Sequence, residues 1–482
     1  MTPRGRQGGK KDKTQGLLQR ALGLRDSGDF DGCDKILAKL LKKTPTDTYL
    51  LCERAYGFTL QQHDSDAVRF YQKALKLDPS LEQAQLALAI LLADQGRLLE
   101  ARKLLERYVA TESGNALAWT QLGATWLQGG TAGKAEELLQ RALALDPDFP
   151  DARFMLSFAL LEQGRLREGF ECYRAGYAAG KRGYPKYPQR NDSGEVEKQR
   201  QPLWDGTAGQ RVVVLGEMGL GDEVLFASVF ADMAAVCPDM VIECSPRLEA
   251  LFQRSFPDYR IYGTRACDDK PWAVDYQIDA VCPLSELGFH FRPTMESFPA
   301  HDAYLVADAG KREFWSERLR SLGNRPKIGI AWSGGTNQTG MKQRTLALAE
   351  LQPLFDVIDA DYISLQYQQS AEEDIAAFRE ASGVEIHHWG EACAMEGAVN
   401  DYDETAALVS NLDVVVTVPT SIYHLSAALD IPTYMLLPQG NVWPECNAGD
   451  SIYPHPNQTR VFKLNGENRR VAVTQLVQAL KA

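Results

Sequence analysis

The sequence predicts an α-helical repeat solenoid followed by an α/β region of two facing, doubly wound halves. Three observations predict it. Small residues and prolines recur at a 34-residue period through the first third of the chain. Short apolar runs separated by helical stretches recur through the last part, about 280 residues. One such run, Val212–Leu215, enters the clause Gly216-Glu217-Met218-Gly219-Leu220-Gly221-Asp222-Glu223 and then a helix expected over Val224–Ala235. Strand, glycine-rich turn and helix start together form the part of an α/β sheet where phosphates and sugars are held. Glycines let backbone approach a ligand, and the first helical N–H groups favour an anion. The turn ends on Asp222, a poor phosphate ligand but a plausible proton acceptor, which points to chemistry on a hydroxyl group.

In the repeat region, Gly28, Gln62, Gly96, Gly130 and Gly164 share one register. Cys33, Ala67, Ala101, Ala135 and Gly169 share a second, where two helices would cross closely. Pro45, Pro79 and Pro147 share a third, each ending a predicted second helix. Trp119, Leu122 and Gly123 mark the start of the fourth unit. These residues resemble the tetratricopeptide repeat, as five units over residues 14–183 with the outer two degenerate. The resemblance implies an array that binds a protein or extended peptide on its concave face or mediates self-association, so that a homodimer is one expectation. Residues 1–13 are expected to be a disordered basic tail, and 184–204 an irregular connector in which Tyr184, Tyr187 and Trp204 are too apolar for a free tether.

Composition agrees with several ordinary globular domains: 482 residues, 44% hydrophobic and 24% charged. A formal charge of −12 argues against a broad nucleic-acid surface. The apolar pair Leu17-Leu18 is cut off by Gln19 and Arg20, so no secretory core follows the basic start. The longest apolar stretch, Leu86–Ala93, is too short for a membrane span, and a cytoplasmic location is expected. Nine cysteines scattered without C-x-x-C spacing suit reduced thiols.

In the α/β region, strands are expected at Val212–Leu215, Met240–Cys244, Tyr276–Cys282, Lys327–Trp332, Asp361–Tyr367, Val384–His388, Asp413–Val418 and Pro432–Leu437. Helices are expected at Leu346–Ile358, Glu372–Ala381, Glu404–Ser410 and Val471–Leu480. The first half covers 205–310. The second covers 325–482 with its closing helix.

Six stretches in order carry a second resemblance. They are Pro202-Leu203-Trp204-Asp205-Gly206, Gly219-Leu220-Gly221-Asp222, Lys327-Ile328-Gly329-Ile330-Ala331-Trp332-Ser333-Gly334, Ser364-Leu365-Gln366-Tyr367, Asp403-Glu404-Thr405-Ala406 and Thr420-Ser421-Ile422-Tyr423-His424-Leu425. They resemble the GT-B glycosyltransferases related to bacterial heptosyltransferases, above all the cytoplasmic members fused to tetratricopeptide repeats that modify proteins such as flagellin. The resemblance implies an inverting transfer of a sugar from a nucleotide sugar to a Ser or Thr hydroxyl of a protein held by the repeats. The first half then faces the acceptor and the second the donor.

Asp222 is implied to be the general base, while as an acid at a helix start it also fits a cap. Glu217 and Glu223 are reserve acids, and Gly219 and Gly221 shape the acceptor-side loop. Thr420 and Ser421 open a helix whose free N–H groups suit a leaving phosphate, with His424 one turn on. A buried structural role is the alternative for His424. The family has Asp where this chain has Pro419. Arg344 and Lys342 end the glycine-rich loop Ser333–Arg344, suited to a diphosphate or nucleotide monophosphate, and either also fits a solvated charge. Gln366 is placed to read a base or ribose edge.

No cofactor or metal is expected. Asp401-Tyr402-Asp403 precedes a helix and fits a cap, and His387-His388 on a strand face opposite ways. Both UDP-hexosamine and CMP-nonulosonic acid donors fit these residues. Two other readings are a non-catalytic repeat adaptor with a degenerate transferase fold, and a transferase for a lipid-linked saccharide.

Overall fold

The computed structural model describes residues 8–482 except 179, 181, 184, 192, 266, 299–302, 335–343, 369, 394–401, 439–446, 449–450, 453–457 and 465–468. Two compact units divide the chain, Met1–Ala152 and Arg153–Ala482.

The first unit is a run of antiparallel helix pairs: α1 (Gly8–Asp26) with α2 (Phe30–Leu41), α3 (Thr48–Leu60) with α4 (Asp64–Leu77), α5 (Glu82–Asp94) with α6 (Leu98–Thr111), and α7 (Ala116–Gln128) with α8 (Ala132–Leu145). Short side chains start three of the helices. Asp29 accepts from Gly32 N at 2.8 Å, Asp47 from Leu50 N at 3.2 Å and Asn115 from Ala118 N at 3.1 Å. The first repeat register is the left-handed residue that reverses the chain inside each pair. Gly28, Gly96 and Gly130 have φ of 85°, 75° and 73°, and Gln62 takes 59° without glycine's freedom. The second register is the helix crossing: Ala67, Ala101 and Ala135 are fully buried. A Cβ on Gly123 would lie 2.8 Å from Leu139 Cγ, so only glycine fits that crossing.

A fifth pair, α9 (Pro150–Glu162) and α10 (Leu166–Tyr173), starts at the unit boundary and carries the same left-handed glycine, Gly164. Leu161, Leu166 and Phe170 of this pair are buried in one hydrophobic core with Trp204, Val212 and Val214 of the α/β region. The short helix α11 (Ala175–Ala178) follows. The stretch expected to be irregular then forms an antiparallel hairpin, β1 (Tyr187–Arg190) with β2 (Val196–Gln199). Tyr187 anchors it: fully buried, its hydroxyl donates to Glu243 Oε2 at 2.6 Å. Tyr184 lies outside the described residues.

The first parallel sheet comprises β3 (Val212–Leu215), β4 (Val241–Glu243), β5 (Arg260–Tyr262) and β6 (Ala280–Pro283), in the order β5-β4-β3-β6. Its helices are α12 (Leu220–Ala227), α13 (Phe230–Val236), α14 (Glu249–Ser255) and α15 (Leu284–Phe291), and α16 (Ala309–Arg320) leads on to the next sheet.

The second sheet is wholly parallel along the order β14-β11-β10-β7-β8-β9. Its strands are β7 (Lys327–Ala331), β8 (Asp361–Ser364), β9 (Ile386–His387), β10 (Val414–Thr417), β11 (Thr433–Pro438) and β14 (Thr459–Leu464). A small hairpin, β12 (Asn447–Ala448) with β13 (Ser451–Ile452), interrupts the last crossover. The helices are α17 (Gln352–Val357), α18 (Ala371–Ser382), α19 (Gly390–Cys393), α20 (Tyr402–Val409), α21 (Ser421–Ala428) and α22 (Arg469–Lys481), the last packing on β14 and α17. β3 and β10 are buried along their whole length, as strands covered on both faces must be.

Several elements differ from expectation. The helix expected over Val224–Ala235 starts at Leu220 and breaks at Ser228–Val229 into α12 and α13. Leu346–Ile358 enters as a 3₁₀ turn, Leu348–Leu351, because Pro353 supplies no N–H to the first turn of α17. Tyr276–Cys282 shortens to β6. Gln189 of the hairpin takes the Ile278 N–H at 3.0 Å and donates to the Tyr276 carbonyl at 3.0 Å, leaving no ladder there. Among the described residues no helix is long and apolar enough to cross a membrane.

Candidate active site

A doubly wound parallel sheet holds ligands at the carboxyl ends of its strands, where the strand order reverses. That point lies between β3 and β6 in the first sheet and between β7 and β10 in the second. The glycine turn follows β3, the Ser333–Gly334 segment follows β7, and Thr420 follows β10.

The first turn is held from three sides. Glu217 Oε1 accepts from Ser285 N at 2.9 Å across the reversal point, and Arg182 donates to Glu217 and, at 2.7 Å, to Ser285 Oγ. Glu217, a reserve acid, is thus committed to a partly buried ion pair. Met218 adopts a left-handed φ of 63°, its carbonyl accepts from Arg265, and its sulfur receives the Tyr173 hydroxyl at 3.0 Å. Asp222 Oδ2 accepts from Gly219 N at 2.9 Å, so the carboxylate caps α12. Glu223 turns the other way. It is buried, pairs with Arg265 and accepts from Ser245 N at 2.8 Å, and burial pushes its carboxyl up to about 7.

On the second sheet, Gln366 spends both ends of its amide on the loop after β7. Its Oε1 accepts from Trp332 N and Ser333 N, both at 3.1 Å, and its Nε2 donates to Ser333 O at 2.9 Å. To read a base edge it would have to give up one of these bonds; as it stands, it braces the loop. A Cβ on Gly334 would lie 2.9 Å from the Pro419 carbonyl oxygen and against the Thr420 side chain, so the two loops flanking the reversal are packed together. Thr420 Oγ1 accepts from Ile422 N at 3.2 Å and caps α21, which begins at Ser421. Arg344 is half-buried and has no ion-pair partner among the described residues. Its neighbours pin it to the end of β7: Thr345 Oγ1 meets Ser333 Oγ at 2.8 Å and Leu346 N donates to Trp332 O at 2.8 Å. Lys342 lies outside the described residues, as do 335–343 generally and Asp401.

The two helix starts meet. A Cβ on Gly221 would lie 2.9 Å from His424 Cδ2 and 3.2 Å from Ser421 Cα. Gly219, Gly221 and Asp222 therefore share one place with Thr420, Ser421 and the buried His424. The contact is bolted on both sides. Tyr304 donates its hydroxyl to Val224 O at 3.0 Å and its N–H to Ala428 O at 3.0 Å. Arg254 of α14 grips Asp403 of α20 through two bonds, 2.8 and 2.5 Å. Asp403, expected as a cap, spends its carboxylate on this bridge.

Sequence reasoning missed Arg182, Tyr173 and Arg247. Arg247 follows β4 by four residues, and its guanidinium lies 5.4 Å from the Tyr402 ring centroid of the second half. Burial lowers its pKa, against the favourable phenols of Tyr402 and Tyr367. The available signal was an arginine just past a strand's carboxyl end, in Ser245-Pro246-Arg247. A separate groove of about 440 Å³, lined by Arg325, Asp356, Asp359, Asp361, Glu385 and His387, opens near the amino end of β8, away from this edge.

A family model described as tetratricopeptide repeat matches residues 65–123 and 127–169. Protein FlbA of Caulobacter vibrioides is 26% identical over 426 residues, covering 78% of this chain and 68% of that protein. The human protein O-mannosyl-transferase TMTC1 is 34% identical over 113 residues, covering 23% of this chain and 13% of that protein. Among solved structures, MamA from Desulfovibrio magneticus is 20% identical over 35% of this chain and 96% of its own, with a TM-score of 0.33. YrrB, described as a repeat protein with an unusual peptide-binding site, is 15% identical over 34% of this chain and 84% of its own, with a TM-score of 0.31. The chain carries tetratricopeptide repeats.

Proposed function

We propose that the chain is a GT-B type, inverting glycosyltransferase that moves a sugar from a nucleotide sugar to a Ser or Thr hydroxyl of a protein bound by its repeats, with flagellin as one candidate acceptor. The observation that carries the reading is the meeting of Gly219–Asp222 with Thr420–His424, each at the ligand-holding edge of its own parallel sheet. Asp222 accepts the hydroxyl proton as the acceptor oxygen attacks the anomeric carbon from the side opposite the nucleotide. The departing phosphate is received by the N–H groups at the start of α21 and by Arg344, charge stabilisation that needs no metal. The joining of repeats to an α/β unit favours a protein acceptor over a lipid-linked one. TMTC1, by its name a protein O-mannosyl-transferase, agrees with sugar transfer to a protein, and this chain matches 13% of it.

A second reading, a repeat adaptor with a degenerate transferase fold, draws support from Pro419 and from the capping role of Asp222. Thermal unfolding with millimolar UDP, GDP, CDP and CMP separates the two. A nucleotide at a hundred times its dissociation constant adds about 2.7 kcal/mol to the unit that binds it. A midpoint shift with one nucleotide, lost in Arg344→Ala, supports the transferase and identifies the donor class. No shift with any of them supports the adaptor.

A further inference from the structure

We infer that the fifth helix pair belongs to the catalytic unit, with Tyr173 as a positioning residue that holds Asp222 in place through Met218. The inference rests on the base role proposed for Asp222. It starts from an outlier. Met218 sits at φ 63°, a left-handed conformation that an unbranched non-glycine side chain adopts only where its surroundings impose it. Four residues on is Asp222, in the first turn of α12, and its carboxylate accepts from the N–H of Gly219, the residue after Met218. Whatever fixes Met218 therefore also fixes the adjacent Gly219 N–H that holds this carboxylate.

Two groups fix it. Arg265, on the loop after β5, takes the Met218 carbonyl. The Tyr173 hydroxyl takes the sulfur at 3.0 Å from the end of α10. Tyr173 is itself locked. Its ring meets Phe154 and Phe158 of α9 at centroid distances of 5.2 and 5.6 Å, and the Arg182 guanidinium lies 4.3 Å over its face. Arg182 continues to Glu217, the residue before Met218. Residues 217 and 218 are thus both gripped by groups from the segment 173–182. After burial and the opposing Arg182, the charges of Glu217 and Asp222 push the Tyr173 phenol further up, in keeping with a ring beside that turn. α10 is seated for this purpose by Phe170, whose ring packs against Gly288 of α15, where a larger residue would clash. A helix pair that served only to extend the repeats would have no reason to send a buried tyrosine into the turn after β3.

The test uses the full chain and Tyr173→Phe, which keeps the ring and removes the hydroxyl. Amide hydrogen exchange across Gly219–Glu223 is expected to rise about tenfold while exchange in α10 and β3 stays unchanged. Nucleotide release from a panel of UDP-hexosamines and CMP-nonulosonic acids, with water as the attacking hydroxyl and sugar acceptor, is expected to fall about tenfold in kcat at unchanged KM, the mark of a displaced base rather than a lost ligand. Met218→Leu is expected to match it, and the double variant to be no worse than either single one. Unchanged exchange in the turn of Tyr173→Phe overturns the inference whatever the activity. Loosening of α10 together with the turn also overturns it, since Tyr173 would then be ordinary packing. Wild-type release by Asp222→Asn rejects the base role alone and leaves the exchange result to stand or fall separately.

Discussion

Replacing Gly221 by alanine tests the contact on which the site depends. The added Cβ would lie 2.9 Å from His424 Cδ2 and 3.2 Å from Ser421 Cα, against ordinary carbon contacts of about 3.5–4.0 Å. Neither neighbour can step aside cheaply. Ser421 Cα is backbone, and His424 is 3% exposed within α21. The start of α12 must therefore retreat from α21 by about half an ångström. Overpacking of this kind costs about 1–3 kcal/mol, while alanine for glycine in a helix returns at most about 1 kcal/mol. The net expectation is a loss of about 1–2 kcal/mol, or about 2–6 °C in the midpoint of the second unit by scanning calorimetry. Gly219→Ala, whose Cβ would meet only Asp222 Oδ2 at 3.3 Å, loses less than about 1 kcal/mol. A Gly221→Ala protein that melts higher than wild type would mean that helix propensity outweighs the clash and that the two helix starts are not in contact.

Two further outcomes follow from local geometry. Gln62→Gly removes a left-handed glutamine from the one repeat register that otherwise holds glycine; relief of about 1–2 kcal/mol less about 0.4–1 kcal/mol of unfolded-chain entropy leaves a gain of about 0.5–1 kcal/mol, read as a higher urea midpoint of the first unit. For Glu223, burial raises the folded pKa from 4.5 to about 7, so the folded state holds the proton more tightly and stability falls as pH rises from about 4.5 to about 7. The second unit of wild type should accordingly lose more stability between pH 5 and pH 8 than Glu223→Gln, by on the order of 2–3 kcal/mol; parallel pH profiles for the two proteins would show that Arg265 keeps the carboxylate charged.

The repeat array was legible because its period is imposed by backbone and sterics. A left-handed residue tolerates few side chains and a close crossing only small ones, so both leave marks in composition. The central strands were legible for a related reason, since strands buried on both faces, such as Val212–Leu215 and Val414–Thr417, must be continuously apolar. Edge strands carry no such demand. β5 and β14 mix polar with apolar residues, and β1–β2 includes Pro188, Gln189, Glu197 and Lys198, so none of them stood out. In the site, glycine spacing marked the turn, and Asp222 and Thr420 were legible as helix starts. What Gln366 does was not, because its partners Trp332 and Ser333 become neighbours only when β8 pairs with β7. Tyr173, Arg182 and Arg247 stand at positions that no motif marks as part of the site, and packing brings them to it.

The most direct test of Asp222 as the base is Asp222→Asn, because asparagine can still accept the Gly219 N–H through its side-chain oxygen but cannot take a proton at neutral pH. Sugar transfer to the acceptor, followed by nucleotide release and by the mass of the modified protein, should fall by about 10²–10⁴-fold while the thermal midpoint stays within a degree or so of wild type. Transfer near the wild-type rate would rule out Asp222 as the base and leave it as a helix cap.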